Sequence, residues 1–432
     1  MLFRSKLKFK NEHVTLVNNE GKEPVNIRFK PVKPENIYSY YHDDNYDAHV
    51  LINGKIKSLT VEEHKALKAN FKYIMLKCDS EDELKTEVKR YIKKAEYFMK
   101  HTNGMINYYT SSFEGNLSFE LWRKLTKSIS APESLLSIEQ FALSDSLVGG
   151  THYADLGTFD DCIDYDMNIM YMYYMMQNSF TFPMKQGEEK YITTLELEKM
   201  TYYPYGLYLC QLTGQSKFIN KKMTNKFRWH THFILSSAKQ EGFKIMMKVD
   251  EINHIAYSKD RINGNTAFGE YGNFAIELRE TVDEKYKSDA KLFTSATWGY
   301  FCSKNKKTKR YDKDEIVDLD EIDCEKIRPI NGGGYVIKYC KRMSIFKTAY
   351  ARLGCFLTSY CRLQLYNILK KNNIDFDNIK MINTDGFVLQ HQKLPDELMG
   401  SKPGMFKIAK SKDGKNKPRI RSEEHTSELQ SH

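Results

Sequence analysis

The chain has 432 residues, 41% of them hydrophobic, which is enough for two or three compact units with apolar cores. Its formal net charge of +10 is compatible with polyanion binding but is weak evidence alone. The lysine-rich opening does not resemble a secretory leader, so we expect no secretion. Polar residues interrupt the longest apolar run, so we expect no membrane span. Scattered cysteines without Cys-x-x-Cys pairs predict a reducing, cytoplasmic location and no zinc site.

The first third of the chain changes from strand periodicity to helix periodicity. Short alternating runs between residues 7 and 77 predict a small β-rich region, and helical spacing from Glu81 to Ser130 predicts a helical connector. Gly149-Gly150 then breaks the chain. A strand from Cys162 to Asp166 follows, and we expect a long helix after it that ends before Pro183.

The rest of the chain alternates between inserted and regular segments. Residues 185–273 are too many for a loop and predict a structured insertion. The further predictions are a helix over Thr231–Gln240, a helix over Arg279–Phe301, a surface excursion over Thr308–Gly334, an amphipathic helix over Tyr350–Lys371 and a hairpin over Ile379–Leu389.

Two carboxylates, Asp166 and Asp385, each stand where an apolar strand ends, and rigid positions of this kind suit a Mg²⁺-dependent phosphoryl-transfer site. Between them, Lys287 and Lys291 share a helix face and are suited to a triphosphate. Taken singly, an Asp is more often a cap or turn residue and a lysine pair more often a solvated face. Their order in one chain favours a nucleotidyltransferase.

His230 and His232 alternate as in a strand and have no third ligand nearby, so ordinary structural residues are the favoured interpretation.

From about Tyr91 to Ile420 the sequence resembles family B DNA polymerases, most closely the protein-primed subgroup of phages, viruses and linear plasmids. The segment from Asp166 to Tyr171 resembles the first palm motif, Asp-x-x-Ser-Leu-Tyr, with Ile169 in place of Ser. The resemblance implies Asp166 as a metal ligand, the Met167 carbonyl as a second contact, and Tyr171 as the gate against a 2′-hydroxyl. Asp160, Asp161 and Asp164 are alternative ligands, and Asp166 is chosen because only it has Tyr171 at the motif spacing.

The segment from Lys291 to Gly299 resembles the fingers motif Lys-x-x-x-Asn-Ser-x-Tyr-Gly, with Ser295 in place of Asn and Trp298 in place of Tyr. The resemblance implies that Lys291 binds the triphosphate, that Ser295 and Trp298 contact the nucleotide, and that Gly299 allows close approach. Asn383-Thr384-Asp385 resembles Asp-Thr-Asp, with Asn383 in place of the first Asp.

Further segments resemble the family's DNA-contacting and exonuclease parts. Leu147-Val-Gly-Gly150 resembles the Tyr-x-Gly-Gly link, so the resemblance implies DNA contacts at Gly149 and Gly150, together with Thr384 and, on the preceding helix, Arg362. Tyr91-Ile-Lys-Lys-Ala95 resembles the third exonuclease motif, but Ala95 stands where the family has a metal-binding Asp. We therefore expect no proofreading.

The resulting prediction is an α+β polymerase with an antiparallel palm, helical fingers and inserted subdomains. The expected parts are 1–90, a degenerate or truncated exonuclease-like region; 91–150, a helical connector; 151–183, the palm with its first motif; 184–273, an inserted subdomain; 274–304, the fingers; 305–345, a second insertion; 346–420, the second part of the palm; and 421–432, a tail resembling a translated sequencing adapter. We expect the natural protein to continue beyond Ile420 into a thumb.

The predicted function is a DNA-directed DNA polymerase that uses two Mg²⁺ ions, or Mn²⁺, with primer–template DNA, dNTPs and a terminal priming protein as partners. Two alternatives remain open. One is a catalytically impaired nucleic-acid-binding relative, and the other is a template-independent nucleotidyltransferase.

Overall fold

The computed structural model describes residues 81–409 except 112, 128, 312–321 and 330–333, and before residue 81 it describes short strands. The adapter-like segment 421–432 and the expected end of the palm at 410–420 lie outside the described residues. The strands are β1 Ser5–Lys10, β2 His13–Asn18, β3 Val25–Arg28, β4 Ile37–Tyr41, β5 Ala48–Ile52, β6 Lys55–Leu59, β7 Tyr73–Met75, β8 His152–Ala154, β9 Cys162–Met167, β10 Thr181–Pro183, β11 Glu188–Lys190, β12 Gly206–Thr213, β13 Phe227–Thr231, β14 Lys244–Met247, β15 His254–Ala256, β16 Arg261–Asn263, β17 Lys307–Tyr311, β18 Ile322–Pro329, β19 Tyr335–Lys341, β20 Ile379–Asn383, β21 Gly386–Gln390 and β22 Phe406–Ile408.

The α-helices are α1 Glu81–His101, α2 Glu114–Leu125, α3 Ser137–Ser146, α4 Met170–Met175, α5 Thr194–Lys199, α6 His232–Gln240, α7 Gly264–Thr281, α8 Lys287–Ser295, α9 Thr297–Phe301 and α10 Arg352–Lys371. Short 3₁₀ turns cover Lys221–Met223, Glu284–Tyr286, Ala349–Ala351, Phe376–Asn378 and Asp396–Leu398. Among the described residues, no helix is both long and apolar enough to cross a membrane.

The chain folds as two compact units, one of residues 1–124 and 279–293 and the other of residues 125–278 and 294–432. In the first unit, β1–β3 form an antiparallel sheet, and a second sheet has the order β6-β5-β4-β7. These strands confirm the predicted β-rich region. Helices α1 and α2 confirm the helical structure predicted between Glu81 and Ser130, whereas its role as a connector stays a prediction.

The core of the first unit forms because the apolar stripe of α1 has aromatic partners. Phe98 is fully buried, and its ring lies 5.1 Å from that of Tyr108 and 6.4 Å from that of Phe293. On the same helix, Lys94 forms an ion pair with Asp289 at 2.9 Å. Residues 81–124 and residues 279–293, which are far apart in sequence, thereby share one core.

In the second unit, a five-stranded antiparallel sheet has the order β22-β9-β21-β20-β8, and we call it the site sheet. The two-residue period of β9 buries Tyr165 and Met167 on one face. Asp164 and Asp166 therefore share the opposite face. The predicted hairpin at Ile379–Leu389 is confirmed as β20 and β21.

The predicted insertion contains a sheet of its own. Strands β10 and β16 pair at its entry and exit, and between them lies a sheet of order β11-β15-β12-β13 with β14 also paired to β12. Helix α6 confirms the helix predicted over Thr231–Gln240, and Thr231 caps it by accepting a hydrogen bond from the Ile234 amide.

Helix α10 confirms the predicted long helix and carries a buried ion pair. Arg352 is fully buried, and its Nε and Nη2 donate to the two Glu139 carboxylate oxygens at 2.6 and 2.8 Å. Its remaining contacts are the carbonyls of Glu133 and Ser134, and the Tyr257 hydroxyl donates to Glu139 at 2.6 Å. This network fastens α10 to α3 and to the insertion.

The long helix predicted after Asp166 is wrong. Helix α4 ends at Met175, and Pro183 lies in strand β10 instead of behind a helix. Gln177, Asn178 and Ser179 follow the helix, and Asn and Ser favour turns because their side chains compete for backbone hydrogen bonds.

The single helix predicted over Arg279–Phe301 is also wrong. The segment is divided into the end of α7, a 3₁₀ turn, α8 and α9. Asp283 adopts φ −54° and ψ 148°, outside the helical region, directly after the β-branched Thr281 and Val282. Local side-chain competition and β-branching explain the break.

The segment Thr308–Gly334 was predicted as a surface excursion. In the described residues it contributes β17 and β18, which flank β19 in a three-stranded antiparallel sheet. Tyr311, Ile322 and Ile337 form a small core on this sheet.

Candidate active site

Asp166 and Asp385 occupy neighbouring positions at one end of the site sheet. Strand pairing sets Gly386 opposite Asp166, and the Met167 amide donates to the Asp385 carbonyl over 2.9 Å. The end of β9 and the turn between β20 and β21 thus hold the main chains of Asp166 and Asp385 next to each other. Two residues that are far apart in sequence are thereby brought to adjacent main-chain positions.

Each of these carboxylates lies close to a β-branched residue in the left-handed backbone region. Ile169 has φ 55° and Thr384 has φ 61°. A β-branched side chain at positive φ is strained by roughly 1–3 kcal/mol. Hydrogen bonds hold both: the Ile169 carbonyl accepts from the Tyr173 amide at 2.9 Å, and the Thr384 amide donates to the Thr151 carbonyl at 2.8 Å. The sequence analysis did not anticipate this strain.

The Gly149-Gly150 segment packs against the hairpin turn. A Cβ on Gly150 would lie 2.1 Å from Thr384 Oγ1, so only glycine fits beside the turn. Arg362 is buried, and its Nε donates to Thr151 Oγ1 at 2.9 Å and its Nη2 to the Gly149 carbonyl at 2.7 Å. Burial lowers the pKa of Arg362 to about 10. These residues position the turn, whereas the DNA contacts implied for them stay predictions.

Tyr171 and Trp298 form an aromatic pair in the second unit. Their ring centroids are 4.9 Å apart with an interplanar angle of 39°. Burial raises the pKa of Tyr171 above its ordinary value, and Cys361, Arg362 and Asp385 lie close enough to affect it electrostatically. The structure thus brings Tyr171 and Trp298 together beside one candidate catalytic carboxylate. Apart from the adjoining residues and backbone of its own helix, no described atom lies within 4 Å of a Cβ built on Gly299, so the space there is open.

The remaining residues of the fingers-like segment lie on α8. Lys287 forms an ion pair with Glu284 at 2.7 Å, and Lys287, Lys291 and Ser295 are exposed. Both lysines belong to the first unit, whereas both carboxylates belong to the second. A joint role of the lysines with the carboxylates stays a prediction.

Lys407 is a site residue that the sequence analysis did not single out. Strand β22 pairs with β9 so that Lys407 lies opposite Asp166, and its Nζ is 2.9 Å from Asp166 Oδ2. The alternation of Phe406, Lys407 and Ile408 is a strand signal, but three residues are too few to predict the partner.

Asp164 adds a second negative group on the same face of β9. Burial first, and the Asp166 carboxylate second, raise the pKa of Asp164 to about 6. The raised value means that the ionised form of Asp164 is poorly solvated at this edge of the sheet.

The oxygen donors of the site fit magnesium, the metal that the sequence resemblance implies. Mg²⁺ is usually held by one or two carboxylates, waters and substrate phosphates. Asp166 and Asp385 supply two such carboxylates. Within the described residues there is no cluster of three or more His, Cys, Asp or Glu side chains arranged to hold a metal. A magnesium-binding role of Asp166 and Asp385 therefore stays a prediction, in which water and substrate oxygens would supply the remaining ligands.

His230 lies in strand β13, and His232 is the first residue of helix α6. Both are buried, and burial lowers the pKa of each to about 3. His232 packs 4.1 Å from the Tyr205 ring. Both side chains are thus held neutral in a packed environment.

No protein-family model and no curated protein matches this sequence. Solved structures of phi29 DNA polymerase are similar to it. For the polymerase complexed with single-stranded DNA, the TM-score is 0.52 at 14% identity, over 85% of this chain and 59% of that chain. For its post-translocation binary complex with primer-template DNA, the TM-score is 0.49 at 14% identity, over 92% of this chain and 67% of that chain.

The chain thus spans about three fifths of the polymerase chain in the first comparison. At this level of identity the likeness establishes the fold alone. The mixed helix and antiparallel-sheet architecture is that of a distant polymerase-like fold.

Proposed function

We propose that this chain is a DNA-directed DNA polymerase of the protein-primed type, with the site sheet as its palm, α8 and α9 as fingers and residues 184–273 as an inserted subdomain. The observation that carries the proposal is the meeting of Asp166 and Asp385 on adjacent positions of β9 and the hairpin turn. The polymerase-like fold around them supports it.

In the proposed reaction, the oxygen of a primer 3′-hydroxyl, or of a hydroxyl on a priming protein, forms a bond to the α-phosphorus of a dNTP. The bond from that phosphorus to the bridging oxygen of the β-phosphate breaks, pyrophosphate leaves, and the hydroxyl proton passes to water. Asp166 and Asp385, with the Met167 carbonyl, would hold Mg²⁺, which supplies charge neutralisation at the phosphates.

The nucleotide would be oriented by aromatic and cationic side chains. Tyr171 would lie under the sugar and Trp298 against the base pair, an assignment that their 4.9 Å ring contact supports. Ser295 and Gly299 would border the same nucleotide, and Lys287 and Lys291 would bind its triphosphate. The expected partners are primer–template DNA, dNTPs and a terminal priming protein.

Proofreading is absent in this proposal. Ala95, which stands in the position of the exonuclease Asp, is fully buried in the core face of α1. A carboxylate ligand at that point would have no access to a metal in solvent, so the loss fits a helix that now serves packing.

Primer extension on a labelled primer–template with Mg²⁺, and separately with Mn²⁺, tests the proposal. Asp166→Asn and Asp385→Asn should each reduce templated incorporation by about 100-fold or more, since even outer-shell changes at metal sites cost about 10–100-fold. Asp250→Asn is the matched control, because Asp250 is exposed, lies in the insertion, and has a positive φ that Asn tolerates. Extension by Asp385→Asn at the wild-type rate would refute the proposal.

The alternative is a nucleic-acid-binding relative without catalysis, and one observation favours it. Asn383 replaces a family carboxylate, and strand pairing sets it opposite His152 of β8. This alternative predicts DNA binding that weakens steeply with salt. It also predicts no incorporation with either metal ion, in wild type or variants.

A further inference from the structure

We infer that Lys407 is a built-in counter-cation of the carboxylate site, which a divalent metal ion must displace from Asp166 before it can bind. The inference rests on the proposed function, because it concerns the same two carboxylates, and it assigns them a control that the sequence resemblance does not contain.

The first support is geometric. Lys407 and Asp166 are directly paired residues of β22 and β9, and the 2.9 Å separation of Nζ and Oδ2 is that of a charge-assisted hydrogen bond. In the described part of the chain, Lys407 is the one cation that forms an ion pair with Asp166.

A magnesium ion binds carboxylate oxygens at about 2.0–2.1 Å. The Lys407 ammonium, 2.9 Å from Asp166 Oδ2, would lie within a few Å of any ion bound at that carboxylate. Two positive groups at one oxygen repel each other strongly. Lys407 and a metal ion therefore compete for Asp166.

The second support is the rigid attachment of the β22 main chain. The Asn168 amide donates to the Met405 carbonyl at 2.9 Å, the Gly404 amide donates to the Asn168 carbonyl at 2.8 Å, and Asn168 Nδ2 donates to the Gly400 carbonyl at 2.8 Å. Gly404 has φ +82°, and a Cβ there would lie 2.6 Å from the Tyr173 ring. The strand cannot easily move away, so release must come from rotation of the Lys407 side chain.

The third support is charge. Asp164 and Asp166 share one face of β9, and the Asp166 carboxylate is close enough to raise the pKa of Asp164, so two negative groups lie beside the Lys407 ammonium at this edge. The Lys407 side chain is 50% exposed and that of Asp166 35%, so solvent can take over the ammonium when it rotates away. Nucleotide phosphates offer it a new anionic partner, which couples metal uptake to nucleotide arrival.

Direct Mn²⁺ binding, measured by the loss of the free-ion EPR signal without nucleotide, tests the inference. Lys407→Met should bind Mn²⁺ about fivefold more tightly than wild type at low ionic strength, the upper end for a half-exposed ion pair. Lys407→Arg keeps the charge and should bind as weakly as wild type. Lys402→Met is the matched control, because it removes an exposed lysine from the loop before β22 and should change affinity less than about twofold.

Repeating the Lys407→Met measurement in an Asp166→Asn background should abolish the gain. Equal or weaker Mn²⁺ affinity of Lys407→Met relative to wild type would overturn the inference and leave the proposed function standing. Absence of Asp166-dependent Mn²⁺ binding in every variant, with or without dNTP, would overturn both.

Discussion

Two ion pairs in the second unit differ in how far their side chains are exposed to solvent. Arg352 and Glu139 have side chains 0% and 1% exposed, and carbonyl or hydroxyl groups of neighbouring residues complete their hydrogen bonds. Lys407 and Asp166 are partly solvated and lie beside further carboxylates. The first pair is a structural fastening, whereas the second leaves its charges available to a ligand.

The largest expected effect is at the buried pair. Arg352→Met should lower the free energy of unfolding by about 3–5 kcal/mol, because it leaves the Glu139 carboxylate buried without its partner. Urea unfolding followed by tryptophan fluorescence measures the loss. The double variant Arg352→Met with Glu139→Leu should recover much of it, and a loss below about 1 kcal/mol in the single variant would contradict the contrast.

Acid should destabilise the sheet of order β11-β15-β12-β13, in which His254 lies on β15. Burial lowers the pKa of His254 to about 4, so the unfolded chain, with an ordinary value near 6.5, binds the proton more readily. The contribution to stability is full above about pH 6.5 and is lost as the pH falls towards 4, by about 2 kcal/mol at pH 5. His254→Phe, which keeps a ring against Tyr208, should flatten the stability difference between pH 7 and pH 5.

The carboxylate site should respond to acid in the opposite direction. Because the pKa of folded Asp164 is raised to about 6, the folded state binds its proton first, and this contribution to stability increases as the pH falls from 6 towards 3.8. Asp164→Asn should therefore raise stability at pH 7 by about 1 kcal/mol, discounted for partial solvation, and the gain should vanish near pH 4. Asp160→Asn, at an exposed position, serves as the control. Thermal melts at pH 7 and pH 4 measure the stability of both variants. A stability gain of Asp164→Asn at pH 4 would contradict the raised pKa of Asp164.

The smallest expected effect is relief of backbone strain. Ile169→Asn should stabilise the fold by about 0.5–1 kcal/mol, because Asn tolerates positive φ. The relief of backbone strain should outweigh the packing that is lost with the half-buried isoleucine. Ile408→Asn, in strand β22, should give a small loss instead. Thermal melts of the two variants compare them, and a shared loss would show that Ile169 is not strained.

The positions of the two candidate catalytic residues could be predicted from the sequence because each is marked by a local pattern. Asp166 and Asp385 could be predicted as ends of strands because apolar alternation and the Asn-Thr-Asp-Gly turn are readable locally. Lys407 could not, because its role depends on β22 pairing with a strand far away in sequence. The sequence of a three-residue strand is too short to predict which strand it pairs with.

Arg362 and the glycines before β8 show a second limit. The family resemblance associated them with DNA, but the structure adds contacts among Arg362, Thr151 and Gly149 that no pattern in one sequence could reveal. The division of residues 279–301 was missed for a related reason, since Lys287 and Lys291 keep helical spacing whether or not the helix before them is broken at Asp283.

The strands that pair with β9 are synthesised long after β9 itself. Both of its neighbours in the sheet, β21 and β22, are translated after nearly all the rest of the described chain. Until Gly386 and then Phe406 have emerged from the ribosome, β9 presents two open edges, which are the usual starting points for aggregation. The register that sets Asp166 beside the hairpin turn thus leaves strand β9 unpaired until most of the described chain has been synthesised.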